Sequence, residues 1–265
     1  MAQRGSHVMD LDDLVGDRLP ANQPYNGLVA EAYDVWLSPN KDYRDTGLWQ
    51  HFIEKGNGPA LELGCGNGRL LVKYLKAGLD VEGTDASADM LTICAANARA
   101  VGCKATLHCA DWLTLDLDKQ YATLYNPAGS FALLPGDEAA VQALAAWRGH
   151  LRPGGRCYVS MDVPAEERGQ PYTWRVRRSG TRARDGLTFI VHDAHRRDAE
   201  AQITRVLNRH EVWDAEGNLV KTYLRRHEIR WWTRDQMHGM FAAAGYVDVH
   251  SEADGESFII RGSAD

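Results

Sequence analysis

The sequence predicts an α/β protein: a doubly wound, mostly parallel sheet of seven strands with an inserted antiparallel β lid. Three observations carry that expectation. Apolar strand-like runs alternate with helical spacing from residue 60 to residue 161, the pattern of parallel strands joined by crossover helices. A glycine-rich turn follows the first of those runs directly. Residues 163–232 then abandon the alternation for four extended segments, which suits a separate antiparallel sheet. The chain has 265 residues, enough for one large domain with a sizeable insertion.

Residues 9–24 are acidic and then proline-containing. With residues 1–8, where Arg4-Gly5-Ser6-His7 resembles a tag remnant, they read as a leader (1–24). The core is assigned to 25–162 and 233–265, the lid to 163–232. Within 25–36, Tyr25, Leu28, Val29, Ala32, Tyr33 and Trp36 recur at helical spacing, predicting a helix with an aromatic face and Trp36 in the core. The first strand is 59–63; it stops at Gly64-Cys65-Gly66-Asn67-Gly68, and 69–75 resumes helical spacing. The second strand is 80–85. Ser87 caps a helix running to 101, with Asp89 in its first turn and Gly102 after its end. Residues 105–111 and 121–125 are the third and fourth strands and 137–151 a helix. Arg152-Pro153-Gly154-Gly155 is a stop before the fifth strand, 156–161. Thr233 caps a helix over 233–244, and 246–261 supplies two antiparallel edge strands. Gly64, Asp85, Asp111, Asn126 and Asp162 all fall at carboxyl ends of strands, where an open α/β sheet forms its ligand crevice.

A strand, a glycine turn and a helix start make a nucleotide-type cradle, because the backbone can approach a ligand and free N–H groups face it. A dinucleotide-binding turn would place its third glycine at position 69, which is Arg69; here that glycine comes one residue early, at Gly68. Glu62-x-Gly64-x-Gly66-x-Gly68, Asp85 closing the second strand and Cys109-Ala110-Asp111-Trp112 after the third resemble, in order, the motifs of class I S-adenosylmethionine-dependent methyltransferases. The resemblance implies the Rossmann-like methyltransferase fold and S-adenosyl-L-methionine as cofactor. It implies Asp85 at the ribose hydroxyls, Asp111 near the adenine amino group, and Trp112 near the ring. Glu62, Gly64, Cys65, Gly66, Gly68, Ala86 and Ala110 would complete the wall, and Met90 either lies against adenine or is a core methionine. Asn126-Pro127-Ala128-Gly129 lacks the second proline and the aromatic of the adenine-methylating tetrad. It is therefore read as a crevice wall, with Asn126 near the sulfonium, and no adenine substrate is inferred. Related small-molecule enzymes cover the cofactor with an N-terminal segment bearing Tyr-Asp, as in Tyr33-Asp34. Tyr25 and Tyr33 are thus candidates to touch cofactor or acceptor at the transfer site, ordinary core packing being the alternative.

The lid holds 14 Lys/Arg against 10 Asp/Glu, a formal +4, and the remainder 16 against 26, or −10. It also holds four of the eight Trp and four of the ten His. Tyr172, Trp174 and Trp231, with Ser130 and Phe131 in the core, are candidate acceptor contacts. His192 and His227 are candidate bases, since imidazole titrates in a useful range; a satisfied structural histidine is the competing reading. On alternation His192 shares a face with Ile190, and His227 with Tyr223, Ile229 and Trp231. His192 and His195 point to opposite faces of a strand, so no metal site is predicted. The layout is similar to aminosugar and glycine/sarcosine N-methyltransferases. That similarity implies N-methylation of a small-molecule amine; an O-methyltransferase is the alternative, and a non-catalytic S-adenosylmethionine-binding module is disfavoured by the intact cradle and carboxylates. The partner expected is a small-molecule methyl acceptor, with homodimer formation left open. A net charge of −6 gives no reason to expect nucleic acid or membrane binding, and no apolar run approaches a membrane span. Five cysteines without close pairing suit a reducing cytoplasm.

Overall fold

The computed structural model describes residues 19, 21–164, 172–254 and 257–265. The leader assigned to 1–24 lies largely outside the described residues, as do positions 165–171 of the lid. Seven strands form the main sheet: β1 (Ala60–Leu63), β2 (Val81–Asp85), β3 (Leu107–Cys109), β4 (Tyr121–Asn126), β5 (Leu151–Met161), β10 (Val247–Asp254) and β11 (Ser257–Ser263). Their order is β10-β11-β5-β4-β1-β2-β3, with β1 to β5 parallel and β11 antiparallel to both β5 and β10. The final strand is thus inserted beside β5, and of the last two strands only β10 is an edge, where the sequence suggested two edge strands.

Period-two alternation along the central strands builds a core on each face. Leu61, Leu124, Cys157 and Val159 face α5 (Asp137–Arg148) and α6 (Arg234–Ala243). Ala60, Tyr125 and Tyr158 face α2 (Thr46–Gly56), α3 (Leu71–Lys76) and α4 (Ala88–Ala100). Helix α2 was not anticipated. Its Trp49 stacks on Tyr125 (5.8 Å) and its Phe52 on Tyr158 (4.2 Å), so sheet packing defines it more than its own periodicity. Ser87 caps α4 by accepting the Met90 N–H, and Thr233 with Gln236 forms a reciprocal capping box on α6. The Arg152–Gly155 stop lies inside β5, where the register against β4 slips between Tyr121 and Thr123.

The lid is a four-stranded antiparallel sheet in sequence order, β6 (Arg175–Thr181), β7 (Thr188–Asp198), β8 (Ile203–Trp213) and β9 (Leu219–Arg230). Tyr172 and Trp174 precede β6, and Trp231 follows β9. Helix α1 (Leu28–Trp36) wedges between lid and core, its Ala32 packing with Phe189 and Val212. Trp36 belongs to this junction and not to the sheet core: its ring stacks on His210 and its indole N–H donates to the Phe189 carbonyl (3.4 Å).

Candidate active site

The β1–α3 turn is held by β2: the N–H groups of Gly64 and Cys65 both donate to the Thr84 carbonyl, at 2.8 and 2.9 Å. Gly64 has φ +79°, and a Cβ there would sit 2.8 Å from the Trp112 ring, so bare backbone is needed to let that indole close over the turn. Gly68 serves another purpose. A Cβ on it would strike Cys94 Sγ at 2.7 Å, so this glycine lets α3 and α4 approach and does not line the cavity.

Asp85 ends β2 and grips the loop. Its Oδ2 accepts the Gly66 N–H and its Oδ1 the Ser87 N–H, both at 2.9 Å. Burial pushes its pKa up against those two donors. Glu62 is buried further, accepts the Tyr125 hydroxyl at 2.9 Å and is raised by burial to about 8. Asp111 accepts the Leu113 N–H, capping the turn that presents Trp112. Asp34 reaches from α1 to accept the side-chain amides of Asn67 (2.9 Å) and Asn97 (2.8 Å), tying that helix to the glycine turn. Tyr33 beside it comes within 4.0 Å of a Cβ built on Gly66. Its hydroxyl is pushed well above its usual pKa by burial.

These groups open on one cavity of about 1580 Å³. The fit to S-adenosylmethionine rests on three features: a turn whose Gly66 leaves open space up to the Tyr33 ring, the Asp85 carboxylate beside it, and a buried Asn67 Oδ1 without a hydrogen-bond partner among the described residues. Cys65, Ala86 and Met90 line the same region, and Ser130 lies further along the wall. Ala110 does not reach the cavity. Asn126 does not either: it is fully buried, its amide donating to the Leu63 carbonyl and Ser130 Oγ while its Oδ1 accepts the Phe131 N–H. It braces the wall, and this replaces the expectation that it would stand near a sulfonium. Phe131 is buried between Trp147 and Trp232, again behind the wall.

The lid contributes one face. Along β8 the inward side chains are Thr204, Val206, Asn208 and His210, and across from them on β9 stand Ile229, His227 and Arg225. Arg175 and Arg177 of β6 and Asp193 of β7 complete a largely cationic inner surface. His227 therefore faces the cavity. His192 does not: it lies on the outer face, 3.4 Å from Glu211, because alternation separates it from inward Val191 and Asp193. Trp174 is also outside, beneath Arg209, and Trp231 is buried against the core under Arg197. Tyr172 does not line the cavity; its N–H donates to the His195 carbonyl.

Residues 22–25 bridge lid and core. Asn22 Nδ2 donates to the Leu133 carbonyl and its Oδ1 accepts the Glu228 N–H, while Arg225 donates to the Gln23 carbonyl at 2.6 Å. The Arg225 guanidinium lies 4.0 Å from the centre of the Tyr25 ring, which meets Tyr33 edge-on at 5.7 Å. His210 and His227 flank this arginine. Burial, and then the Arg225 charge, lower His210 to about 4 and His227 to about 3. Imidazoles that hold a proton so weakly are neutral at pH 7, each offering one N–H donor and one acceptor nitrogen. Sequence reasoning missed His210, Arg225 and Arg177. Period-two alternation groups them by face, but which face turns inward is a tertiary fact.

Residues 60–155 match a methyltransferase-domain family. A dTDP-3-amino-3,6-dideoxy-alpha-D-glucopyranose N,N-dimethyltransferase of Streptomyces fradiae is 27% identical over 226 residues, 83% of this chain and 84% of the relative. Among solved structures, Streptomyces venezuelae DesVI superposes with a TM-score of 0.70 at 22% identity, over 89% of this chain and 98% of that one. S-adenosylmethionine-bound CalS10, an amino pentose methyltransferase from Micromonospora echinaspora, does so with 0.65 at 22%, over 92% and 99%.

Proposed function

We propose that this chain, a class I S-adenosylmethionine-dependent methyltransferase, N-methylates the amine of a small aminosugar-like acceptor joined to an anionic carrier such as a nucleoside diphosphate. The observation that carries this reading is the cationic lid face over so large a cavity. A pocket for one drug-sized ligand measures roughly 300–1,000 Å³, so about 1580 Å³ has room for cofactor and a sizeable acceptor together. Arg175, Arg177 and Arg225 present planar donors suited to phosphate oxygens. Asn208, His210 and His227 offer hydrogen-bonding groups to sugar hydroxyls. The relative from Streptomyces fradiae, by its name, acts on such a nucleotide-linked aminosugar.

When bound, S-adenosylmethionine supplies an electrophilic methyl on a good leaving group, so catalysis rests mainly on alignment and dryness. Asp85 would hold the ribose, Trp112 the adenine side, and Asn67 Oδ1 and Glu62 the polar end near the glycine turn. Tyr33, Tyr25 and the 22–25 bridge would screen the reacting atoms from water. Five free cysteines suit a cytoplasmic setting, and no described helix is long and apolar enough to cross a membrane. Homodimer formation is checked by sedimentation.

The test incubates the protein with S-adenosylmethionine and dTDP-3-amino-3,6-dideoxy-α-D-glucopyranose, following S-adenosylhomocysteine release and product mass. Addition of one or two methyl groups at nitrogen is expected. Methylation of the 3-hydroxy analogue but not of the amine would turn the reading to O-methyl transfer.

A further inference from the structure

The carboxylates of the cavity differ in one respect. Six line it: Asp45, Glu62, Asp85, Asp111, Asp162 and Asp193. Five are engaged. Asp45 takes two N–H donations from Arg69 at 2.8 Å, Glu62 accepts the Tyr125 hydroxyl, Asp85 two backbone N–H groups, Asp111 the Leu113 N–H, and Asp193 faces Arg177 at 3.4 Å. Asp162, exposed and standing directly after β5 at the carboxyl edge of the sheet, alone has no hydrogen-bond or ion-pair partner among the described residues, so its carboxylate is open to a ligand.

Its surroundings leave room for it. Gly129, in the loop after β4, has φ +64°, and a Cβ there would lie 2.7 Å from Asp162 Oδ2, so the carboxylate rests against the bare backbone of that loop. The loop is pinned: the Gly129 N–H donates to Ser160 Oγ at 2.9 Å, and that hydroxyl donates to the Asn126 carbonyl at 3.2 Å. With Asp85 and Trp112 on the β2–β3 side of β1, Asp162 falls on the opposite side, beyond β4, and lines the same cavity as the inward face of the lid. The acceptor end of the cavity thus combines arginines, neutral imidazoles and one uncommitted anion.

We infer that Asp162 is the residue that receives the acceptor's amine, its carboxylate accepting an N–H hydrogen bond and aiming the nitrogen lone pair at the methyl-transfer position. This deepens the proposed function and rests on it. The role follows from charge. A cationic or polarised amine is repelled by the lid arginines, whereas an anionic carrier is attracted to them. A single carboxylate opposite the arginines therefore orients a molecule that is positive at one end and negative at the other. The amine attacks as the neutral base, any ammonium proton having passed to water; as the N–C bond forms the methyl–sulfur bond breaks, S-adenosylhomocysteine is the leaving group, and the alkylated nitrogen, now cationic, gives up its extra proton to water from the N–H that Asp162 holds.

The experiment measures binding as well as turnover. Protein loaded with S-adenosylhomocysteine is titrated calorimetrically with dTDP-3-amino-3,6-dideoxy-α-D-glucopyranose and with the 3-hydroxy analogue, comparing wild type with D162N and D162E. Loss of a charge-assisted hydrogen bond should weaken D162N binding of the amine about tenfold to a hundredfold. Affinity for the 3-hydroxy analogue and for S-adenosylhomocysteine should stay within about twofold of wild type by the same reasoning. D162E, keeping the charge, should recover part of the loss, and kcat/KM for the amine should fall in D162N at least as far as affinity. If wild type binds and methylates the amine while D162N matches it, this inference fails and the proposed function stands. If wild type neither binds nor methylates the amine, both fail. An equal loss for the amine and the 3-hydroxy analogue would make Asp162 a structural residue and overturn the inference.

Discussion

Replacing Tyr25 separates the work of its ring from that of its hydroxyl. The Arg225 guanidinium sits 4.0 Å from the ring centre and is itself buried, so the cation–π contact belongs near the desolvated limit of about 2 kcal/mol. The edge-on contact with Tyr33 adds about 1 kcal/mol. Tyr25→Ala removes both, about 3 kcal/mol of docking for the 22–25 bridge, which shifts its closed-to-open ratio by about a hundredfold. Tyr25→Phe keeps the ring over Arg225 and against Tyr33 and should change that ratio by less than about threefold. Hydrogen exchange of the backbone amides in residues 22–27 reads the ratio directly. A double-mutant cycle with Arg225→Met should return a coupling of about 2 kcal/mol. The reasoning is refuted if Tyr25→Ala exchanges like wild type, or if Tyr25→Phe is as damaging as Tyr25→Ala, since the hydroxyl would then be the active part.

Three further outcomes are expected. Asp85→Ala removes the acceptor of the Gly66 and Ser87 N–H groups as well as any ribose contact, and calorimetry should find S-adenosylmethionine affinity at least about tenfold weaker in a folded variant. Gly64→Ala drives a Cβ into the Trp112 ring at a backbone angle of φ +79°; a loss of at least about 1–2 kcal/mol in urea melts and a changed tryptophan emission should follow. Stability should also fall on acidification. His210 and His227 have folded pKa values of about 4 and about 3, below the ordinary 6.5, so their contribution is full above pH 6.5 and lost as pH drops toward 4, at up to about 1.4 kcal/mol per pH unit each. Glu62 works oppositely: raised to about 8, it favours the folded state most below pH 4.5 and loses that contribution as pH rises through 8. Between pH 6.5 and 4.5 the two histidines together outweigh Glu62, and His210→Phe should reduce the fall in stability seen in urea melts between pH 7 and 5.

The cofactor side of this protein was legible in the chain because its determinants are local. A turn needing positive φ demands glycine wherever it occurs, so Gly64 and Gly66 announce themselves, and a strand end fixes where Asp85 must stand. Serine and threonine caps and the alternation of strand and helix carry the same kind of short-range signal, and they located the parallel sheet and the lid. The acceptor side was not legible, because its determinants are relations between elements distant in sequence. Alternation sorts β7 into two faces but cannot say that Asp193 turns inward and His192 outward; the packing of Phe189 and Val212 on α1 decides that. Helix α2 is defined by aromatic stacking on Tyr125 and Tyr158, strands it meets only after the sheet has formed. Asn126 had the right residue type and strand end for a site role, yet its amide is consumed by Leu63, Ser130 and Phe131. Whether a polar group is free for a ligand depends on what else lies within three ångströms of it, and only the tertiary structure sets that.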